Sequence, residues 1–287
     1  MTASGTAGYG DELGAYLDLS ALGAVVVKSL SPDPWPGNAS PRLQETRGGM
    51  LNSVGLQNAG VDAWLERELP ALEARGARVV VSIWGTTVEE YAKAAKALAE
   101  APPTVVAVEI NVSCPNIEDR RRMFAHSAAA TAEVIDAAGA CQRPRWAKLS
   151  PNVTDLTEIA AAALGAGANA LTLINTVMGL AIDPETRRPA LGGGGGGLSG
   201  PAIHPVAVRA VFECRAAFAD TPIVGVGGVS RGVDAVELLL AGANAVQVGT
   251  ATFADPRAPL RVLSEVATWC RRHHVTNVVE LIGAAHA

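Results

Sequence analysis

The chain is poor in aromatic residues: Phe, Trp and Tyr make up 4% of its 287 residues, whereas hydrophobic residues together make up 49%. Its core must therefore consist mostly of Ala, Val, Leu and Ile, a composition that favours helices packed on parallel strands over an aromatic-rich β-sandwich. The formal net charge is −5. An acidic balance argues against a general nucleic-acid-binding surface, because such surfaces need clustered lysine and arginine to neutralise phosphates.

Cysteine pairs with metal-ligand spacing are also missing. The four cysteines, Cys114, Cys141, Cys214 and Cys270, are widely separated and form no CxxC motif, so we do not expect this chain alone to hold a zinc ion or an iron–sulfur cluster. No run of about 18 apolar residues occurs, and the N-terminus lacks a signal-peptide pattern. We therefore expect a cytoplasmic protein with reduced thiols and no membrane span.

The chain does contain an alternation of β-branched runs with Ala- and Leu-rich stretches, which indicates right-handed parallel βαβ units. The predicted strands are Ala24–Val27, Val79–Ile83, Val105–Ile110, Trp146–Leu149, Ala170–Ile174, Ile223–Val226 and Ala245–Val248. The predicted helices include Val88–Glu100, Ala128–Ala138, Leu156–Ala166 and Val233–Ala241. Thr154 and Asp155 precede the third of these helices and are candidates for its N-terminal cap.

The length suits one large α/β domain, and we predict a (β/α)8 TIM barrel over residues 1–287. The pattern supplies seven strands where the barrel needs eight, and only Met1–Ser4 precedes the first turn. We therefore predict a truncated first strand. Long insertions at residues 31–60 and 177–203 interrupt the alternation, and the second contains six consecutive glycines at 192–197. Loops of this length are usually functional or mobile.

A cysteine between two asparagines follows one buried strand, in the segment Glu109-Ile-Asn-Val-Ser-Cys-Pro-Asn116. Pro115 ends the strand because it has no backbone N–H to donate. Cys114 is thereby placed at the carboxyl end of a parallel strand, where α/β folds build their active sites. Asn111 and Asn116 offer amide donors and acceptors for a planar polar ligand.

Glycine signals follow the last two predicted strands, in Gly225-Val-Gly-Gly-Val229 and Gln247-Val-Gly-Thr-Ala251. In barrels, the loops after strands seven and eight often bind phosphate, because glycine lets backbone N–H groups approach the phosphate oxygens. The nucleotide-binding motif GxxxxGK[ST] is absent. The pattern therefore predicts a site for the phosphate of a bound cofactor.

Two lysines, Lys28 and Lys148, lie within or at the end of predicted strands. Burying an ammonium group is unfavourable without an anionic partner, and a flavin that becomes reduced develops negative charge that a fixed lysine would stabilise. The alternative is that each lysine extends from its strand end towards solvent. Asn175-Thr176 and the segment Asn52-Ser-Val-Gly-Leu-Gln-Asn58 add uncharged hydrogen-bonding groups, which suit a small ligand with imide and carboxylate edges.

Together these motifs resemble those of class 1 dihydroorotate dehydrogenases over nearly the full length of the chain. The segments that carry the resemblance are Ala3–Thr6, Gly49–Asn58, Asn111–Asn116, Lys148–Asp155, Leu173–Thr176, Gly197–Pro201, Gly225–Gly228 and Val246–Thr250. Within that class the chain is most similar to the class 1B catalytic subunit. Class 1A members typically read GLPN where this chain has Gly55-Leu-Gln-Asn58, and class 2 enzymes use serine as the base.

The resemblance implies FMN-dependent oxidation of dihydroorotate to orotate in pyrimidine biosynthesis. Cys114 would take a proton from C5 of dihydroorotate while hydride leaves C6 for flavin N5. The implied substrate-binding residues are Lys28, Asn52, Gly55, Leu56, Asn111, Asn175 and Thr176. The implied FMN-binding residues are Ser4, Lys28, Ser29, Ser82, Asn111, Lys148, Ile174, Gly200, Gly227, Gly228, Gly249 and Thr250. No residue is implied as a metal ligand.

The resemblance also implies a partner subunit that carries FAD and a [2Fe–2S] cluster, in a heterotetramer, or else a homodimer of this chain. One segment departs from the family pattern: residues 117–127 contain no glycine and include Arg120–Arg122, where the family usually has a glycine-containing loop over the substrate. A second hypothesis is therefore a related FMN oxidoreductase acting on another small molecule, with the arginines favouring a more anionic ligand. A third is a non-catalytic FMN- or phosphate-binding barrel.

Overall fold

The computed structural model describes residues 1–114 and 123–287. Residues 115–122 lie outside the described residues. They include Arg120–Arg122, on which the loop hypothesis rests, and also Pro115 and Asn116. The strands are β1 Val25–Val26, β2 Leu43–Thr46, β3 Gly49–Asn52, β4 Val79–Ile83, β5 Val105–Asn111, β6 Arg145–Leu149, β7 Ala170–Leu173, β8 Val177–Gly179, β9 Ile182–Asp183, β10 Arg188–Pro189, β11 Gly196–Ser199, β12 Ile223–Val226 and β13 Ala245–Gln247.

The α-helices mostly lie between consecutive strands of the main sheet. They are α1 Val61–Arg67, α2 Leu69–Ala74, α3 Val88–Ala97, α4 Ala128–Ala137, α5 Leu156–Gly165, α6 His204–Ala217, α7 Gly232–Ala241, α8 Ala251–Ala254 and α9 Ala258–Arg272. Among the described residues, no helix is long and apolar enough to cross a membrane.

The main sheet has seven strands in the order β1-β4-β5-β6-β7-β12-β13, and every neighbouring pair in it is parallel. These are the seven strands that the β-branched runs predict, each correct to within one residue at either end. All residues of β4 are buried, as expected for a parallel sheet with helices on its outer face and packed side chains on its inner face. The α/β class and the strand–helix alternation are thus confirmed.

The first residues of the chain bridge the two edges of this sheet. Thr2 pairs in parallel with Val248, and the N–H of Ala3 donates to the carbonyl of Val248 over 2.9 Å. On the other side, the N–H of Thr2 donates to the carbonyl of Ala24 over 3.3 Å, and its hydroxyl accepts from the N–H of Val26 over 2.8 Å. The segment therefore connects the end of β13 to the start of β1.

The two long insertions combine into a separate antiparallel sheet of four strands in the order β2-β3-β11-β8. Two glycines of the glycine run, Gly196 and Gly197, belong to β11. Both pair with β8, and Gly197 also pairs with Asn52 of β3. A Cβ atom at Gly197 would lie 2.0 Å from the hydroxyl of Thr176, so only glycine lets the strand pass this close. Part of the glycine run is thus a strand that packs beside Thr176.

Neighbouring residues explain where α5 begins and where α3 ends. Helix α3 is the one whose end differs most from its predicted bound. The carboxylate of Asp155 accepts from the N–H groups of Thr157 (2.9 Å) and Glu158 (3.3 Å) at the start of α5, which confirms that cap. Helix α3 ends at Ala97, three residues before the predicted Glu100. Pro102 and Pro103 follow, and residues before proline disfavour the helical conformation, so the chain leaves the helix early in a tight turn.

Candidate active site

A cavity of about 700 Å³ opens at the carboxyl ends of the parallel strands. Side chains and glycines from the sheet and from both insertions line it, so elements far apart in the sequence meet there. The residues predicted from the sequence that line this cavity are Ser4, Lys28, Ser29, Asn52, Gly55, Leu56, Asn111, Lys148, Ile174, Asn175, Thr176, Gly200, Gly227, Gly228, Gly249 and Thr250.

Two predicted residues, Ser82 and Cys114, are not part of the cavity lining. Ser82 lies one hydrogen bond behind it, because its hydroxyl is 2.9 Å from the hydroxyl of Ser29. Cys114 is fully buried, although its neighbour Ser113 lines the cavity. The thiol therefore lies directly behind the cavity wall in this structure.

The surroundings of Cys114 keep its thiol neutral. Burial raises the pKa of Cys114 to about 12, and the nearby hydroxyl of Tyr91 opposes this shift only in part. The thiol donates to the carbonyl of Asn111 over 3.5 Å, and the Tyr91 hydroxyl donates to the same carbonyl over 2.6 Å. A thiol needs to lose its proton before it can act as a base, so this environment delays that loss to alkaline pH.

A chain of polar side chains crosses the floor of the cavity. The amide of Asn175 donates to the amide oxygen of Asn111 over 3.0 Å, and Asn111 donates in turn to the hydroxyl of Ser29 over 3.4 Å. Ser29 also lies 3.2 Å from the hydroxyl of Ser4. These contacts fix the orientation of both asparagines, and therefore the direction in which each one offers its remaining donor and acceptor.

Lys28 follows β1 and enters the cavity from the side of the first insertion. Its ammonium donates to the carbonyl of Gln57 over 2.9 Å and lies 5.3 Å from the ring centre of Tyr9. Burial, and secondarily the charge of Arg42, lower the pKa of Lys28 to about 8. No carboxylate pairs with Lys28 among the described residues, so this cation can bind an anionic ligand.

Lys148 is buried in the sheet interior and does not extend towards solvent. Its ammonium lies 3.3 Å from a carboxylate oxygen of Glu109, and the exposed fractions of the two side chains are 7% and 0%. The other oxygen of Glu109 accepts from the amide of Gln247 over 3.0 Å. Glu109 and Gln247 were not among the site residues predicted from the sequence, although a glutamate inside a β-branched run is itself a signal that a buried cation is near.

The glycine loops after β12 and β13 form a bare backbone surface. Gly227 and Gly228 have φ values of 138° and 70°, and Cβ atoms there would lie 2.7 Å and 2.6 Å from the Cβ atoms of Ala207 and His204. The N–H groups of Gly228, Gly249 and Thr250, which lie beyond the ends of both strands, donate no hydrogen bond to another described residue. Free N–H groups on side-chain-free backbone are what a phosphate group requires, so these residues fit one.

Comparison with known proteins agrees with this geometry. The family model described as dihydroorotate dehydrogenase matches residues 1–269. Similar relatives include the protein named dihydroorotate dehydrogenase B (NAD(+)), catalytic subunit, from Geobacter metallireducens, which is 48% identical over 285 residues, or 99% of this chain and 93% of the relative. The proteins of the same name from Geobacter sulfurreducens and Trichlorobacter lovleyi are 48% and 46% identical over the same shares of both chains.

These relatives confirm the resemblance that the sequence motifs indicate, including the likeness to class 1B catalytic subunits. The match covers almost the whole chain and includes every element that lines the cavity. The chain belongs to the dihydroorotate dehydrogenase family.

Proposed function

We propose that the protein is the catalytic subunit of a class 1B dihydroorotate dehydrogenase, which oxidises dihydroorotate to orotate in pyrimidine biosynthesis with FMN as its cofactor. One observation carries the proposal: a single cavity brings together two lysines, the three asparagines predicted to bind substrate and two glycine loops, with Cys114 buried behind its wall. The names of relatives that are 48% identical to this chain supply the reaction.

The proposed architecture is a (β/α)8 barrel of one domain, in which Met1–Ala3 supplies the truncated first strand and completes the set of eight. The hydrogen bonds of Thr2 and Ala3 to both sheet edges support this architecture. Closing the sheet gathers the carboxyl ends of all the parallel strands around one axis. This closure explains why residues as far apart as Lys28 and Thr250 line one cavity.

Several residues would hold FMN. Gly227, Gly228, Gly249 and Thr250 would bind its phosphate through their backbone N–H groups. Ser4, Ser29, Asn111, Ile174 and Gly200 would contact the rest of the cofactor together with Lys28 and Lys148, and Ser82 would orient Ser29 through their hydrogen bond. When bound, FMN supplies the acceptor for the hydride that leaves C6 of dihydroorotate.

Dihydroorotate would occupy the part of the cavity between Lys28 and the asparagines. The ammonium of Lys28 would pair with the substrate carboxylate, because opposite charge and a partly buried position strengthen such a contact. The amides of Asn52, Asn111 and Asn175 would bind the imide edge through the donors and acceptors that their contacts within the protein leave available. Gly55, Leu56 and Thr176, which also line the cavity, would complete the substrate pocket.

Cys114 would act as the base that removes the proton from C5 of dihydroorotate. A base requires a lone pair, so the thiol first gives its proton to solvent and the thiolate then accepts the substrate proton. Asn111 would connect the base to the substrate pocket, because its carbonyl contacts the Cys114 thiol and the residue also lines the cavity. Tyr91 would hold this corner in place through its hydrogen bond to the same carbonyl.

Electrons would leave the reduced cofactor through a partner subunit that carries FAD and a [2Fe–2S] cluster, with NAD as the final acceptor. The words "catalytic subunit" and "NAD(+)" in the names of the relatives support such a partner. The complex would be a heterotetramer built on a homodimer of this chain, in the cytoplasm. The absence of any CxxC pair from this chain is consistent with a cluster held elsewhere.

The experiment that tests the proposed reaction is turnover with an artificial electron acceptor, which removes the need for the partner subunit. Purified protein, dihydroorotate and a dye are mixed, and orotate is measured by its ultraviolet absorbance. Orotate formation in proportion to dye reduction supports the proposal. If the cofactor proves to be FMN but no orotate forms, the related oxidoreductase with another substrate becomes the better hypothesis. If no flavin is bound, the hypothesis of a non-catalytic barrel becomes the better one.

A further inference from the structure

Glu109 is a fully buried carboxylate that neither the phosphate site nor the substrate pocket uses. It lies in the middle of β5, with Val108 and Ile110 on either side, and it does not line the cavity. A buried carboxylate is tolerated only when it is paired and hydrogen-bonded. Both of its oxygens are engaged, one by the ammonium of Lys148 at 3.3 Å and one by the amide of Gln247 at 3.0 Å.

Lys148 lies between Glu109 and the cavity. Its side chain is nearly as buried as that of Glu109, yet it reaches the cavity lining. The neighbouring strand β7 presents Thr172, which pairs with Lys148 in register, and β13 presents Gln247. Among the described residues, Glu109 is the one carboxylate within ion-pair distance of Lys148. The charge of the lysine therefore depends on a single partner.

We propose that Glu109, held in place by Gln247, is a positioning residue that keeps Lys148 protonated and directed at the redox-active part of FMN. The inference rests on the proposed function, because it needs a flavin in the cavity. A flavin gains negative charge when it accepts two electrons, and a fixed cation nearby favours that state. The Glu109–Lys148 ion pair, with 3.3 Å between the ammonium and the carboxylate, supplies such a fixed cation.

Removing the carboxylate alone breaks this arrangement. In Glu109→Gln, Lys148 becomes a buried ammonium without a counter-charge, which favours the neutral amine while the flavin is oxidised. Reduction supplies negative charge, and the amine then takes one proton from solvent. The number of protons bound on reduction therefore increases, and linkage makes the flavin midpoint potential fall more steeply with pH.

The test compares midpoint potentials of FMN-saturated proteins, measured by spectroelectrochemistry from about pH 6 to about pH 9, the range in which a desolvated lysine can titrate. When its flavin is reduced, Glu109→Gln is expected to take up about one more proton per two electrons than the wild type does. Glu109→Asp, which retains a carboxylate, is expected to recover most of the wild-type slope. Thr172→Val is the matched control: the buried hydroxyl of Thr172 has no hydrogen-bond partner among the described residues, so the slope of this variant should equal that of the wild type.

The double variant Glu109→Gln/Lys148→Met identifies the lysine as the source of the additional proton, because it should return to the wild-type slope. Equal slopes for the wild type and Glu109→Gln would overturn the proposal. If Glu109→Gln does not fold, recovery of folding in the double variant supports the pairing, since no unpaired charge remains, and failure of both variants overturns it. A wild-type protein without FMN would refute the proposed cofactor, which is an outcome distinct from equal slopes.

Discussion

The side-chain amide of Asn175 donates a hydrogen bond to that of Asn111 over 3.0 Å, although the two residues are 64 positions apart in the chain. Asn111 ends β5 and Asn175 follows β7, so their contact spans the intervening strand β6. Each amide thereby fixes which group the other presents to the cavity.

Asn175→Ala should weaken dihydroorotate binding. The change removes one amide from the pocket and one of the two hydrogen bonds to the amide oxygen of Asn111, the other coming from the N–H of Ser113. The loss of a hydrogen bond at a buried site is unfavourable by about 1–3 kcal/mol, or roughly 5- to 150-fold in kcat/KM. Steady-state kinetics with an artificial acceptor measure this. Asn277→Ala is the control, because Asn277 caps a remote C-terminal turn: it should lower stability and leave KM unchanged. An unaltered kcat/KM in Asn175→Ala would remove Asn175 from the substrate pocket.

Cys114→Ala should abolish dihydroorotate oxidation and leave FMN bound, because in the proposed mechanism the thiol transfers a proton, and Cys114 does not line the cavity that would hold FMN. Removing a general base typically lowers the rate by about 10²- to 10⁴-fold, and Cys114→Ser should lose less. Cys214→Ala is the matched control, since Cys214 is also buried, with a pKa raised by burial to about 12, but lies in α6 away from the cavity. Wild-type turnover in Cys114→Ala would eliminate Cys114 from the mechanism.

The pH dependence should separate Cys114 from Lys28. Burial raises the pKa of Cys114 to about 12, so the thiolate fraction, and with it the rate of flavin reduction, should climb from about pH 7 to about pH 9. Lys28 behaves oppositely: its pKa is lowered to about 8, so its charge is lost as the pH rises through that value. The KM for the anionic substrate should therefore increase above about pH 8.

Rapid-mixing measurements of flavin reduction at a series of pH values and substrate concentrations resolve the two effects. Lys28→Arg should remove the increase in KM, because arginine keeps its charge throughout this range. Cys114→Ser should lose the alkaline rise in rate over the same range, because a hydroxyl does not ionise there. A flat rate profile in the wild type would indicate a different base or a limiting step without proton transfer.

Gly228→Ala should reduce the FMN content of the purified protein. Gly228 has a φ of 70°, which strains any L-residue with a side chain, and its new Cβ would lie 2.6 Å from the Cβ of His204, so the loop must move away from the phosphate. We expect a loss of at least about tenfold in FMN affinity, equal to roughly 1.4 kcal/mol. Gly165→Ala, which meets no atom within 4 Å, should keep its FMN. Equal flavin content in both variants would contradict the phosphate assignment.

The sequence predicted those features that depend on short stretches of chain. Seven parallel strands are recognisable because each is a β-branched run followed by a helix-forming stretch, as in Val79–Ile83 followed by α3. The two glycine loops after β12 and β13 are recognisable because glycine is required where backbone approaches a ligand or where φ is positive, as at Gly227 and Gly228. Both patterns are local. The glycine loops line the cavity, and the strands form the sheet around it.

The features that the sequence did not predict are contacts between distant segments. The strand pair β3–β11 joins residues from the two insertions, and the amide of Asn52 reaches the carbonyl of Gly197 across 145 positions. The Gln247–Glu109 hydrogen bond spans 138 positions. Neither segment alone shows which partner it meets. The same limit applies to Cys114: its position after β5 could be predicted, but not that its thiol lies behind the cavity wall.

The measurement that tests the central claim most directly is anaerobic mixing of the purified, FMN-loaded protein with dihydroorotate while the flavin absorbance is followed. The proposed function predicts that the visible absorbance of the flavin bleaches and that one orotate forms for each flavin reduced. It also predicts that bleaching slows strongly in Cys114→Ala and remains normal in Cys214→Ala. A flavin that stays oxidised in the presence of excess dihydroorotate would contradict the account.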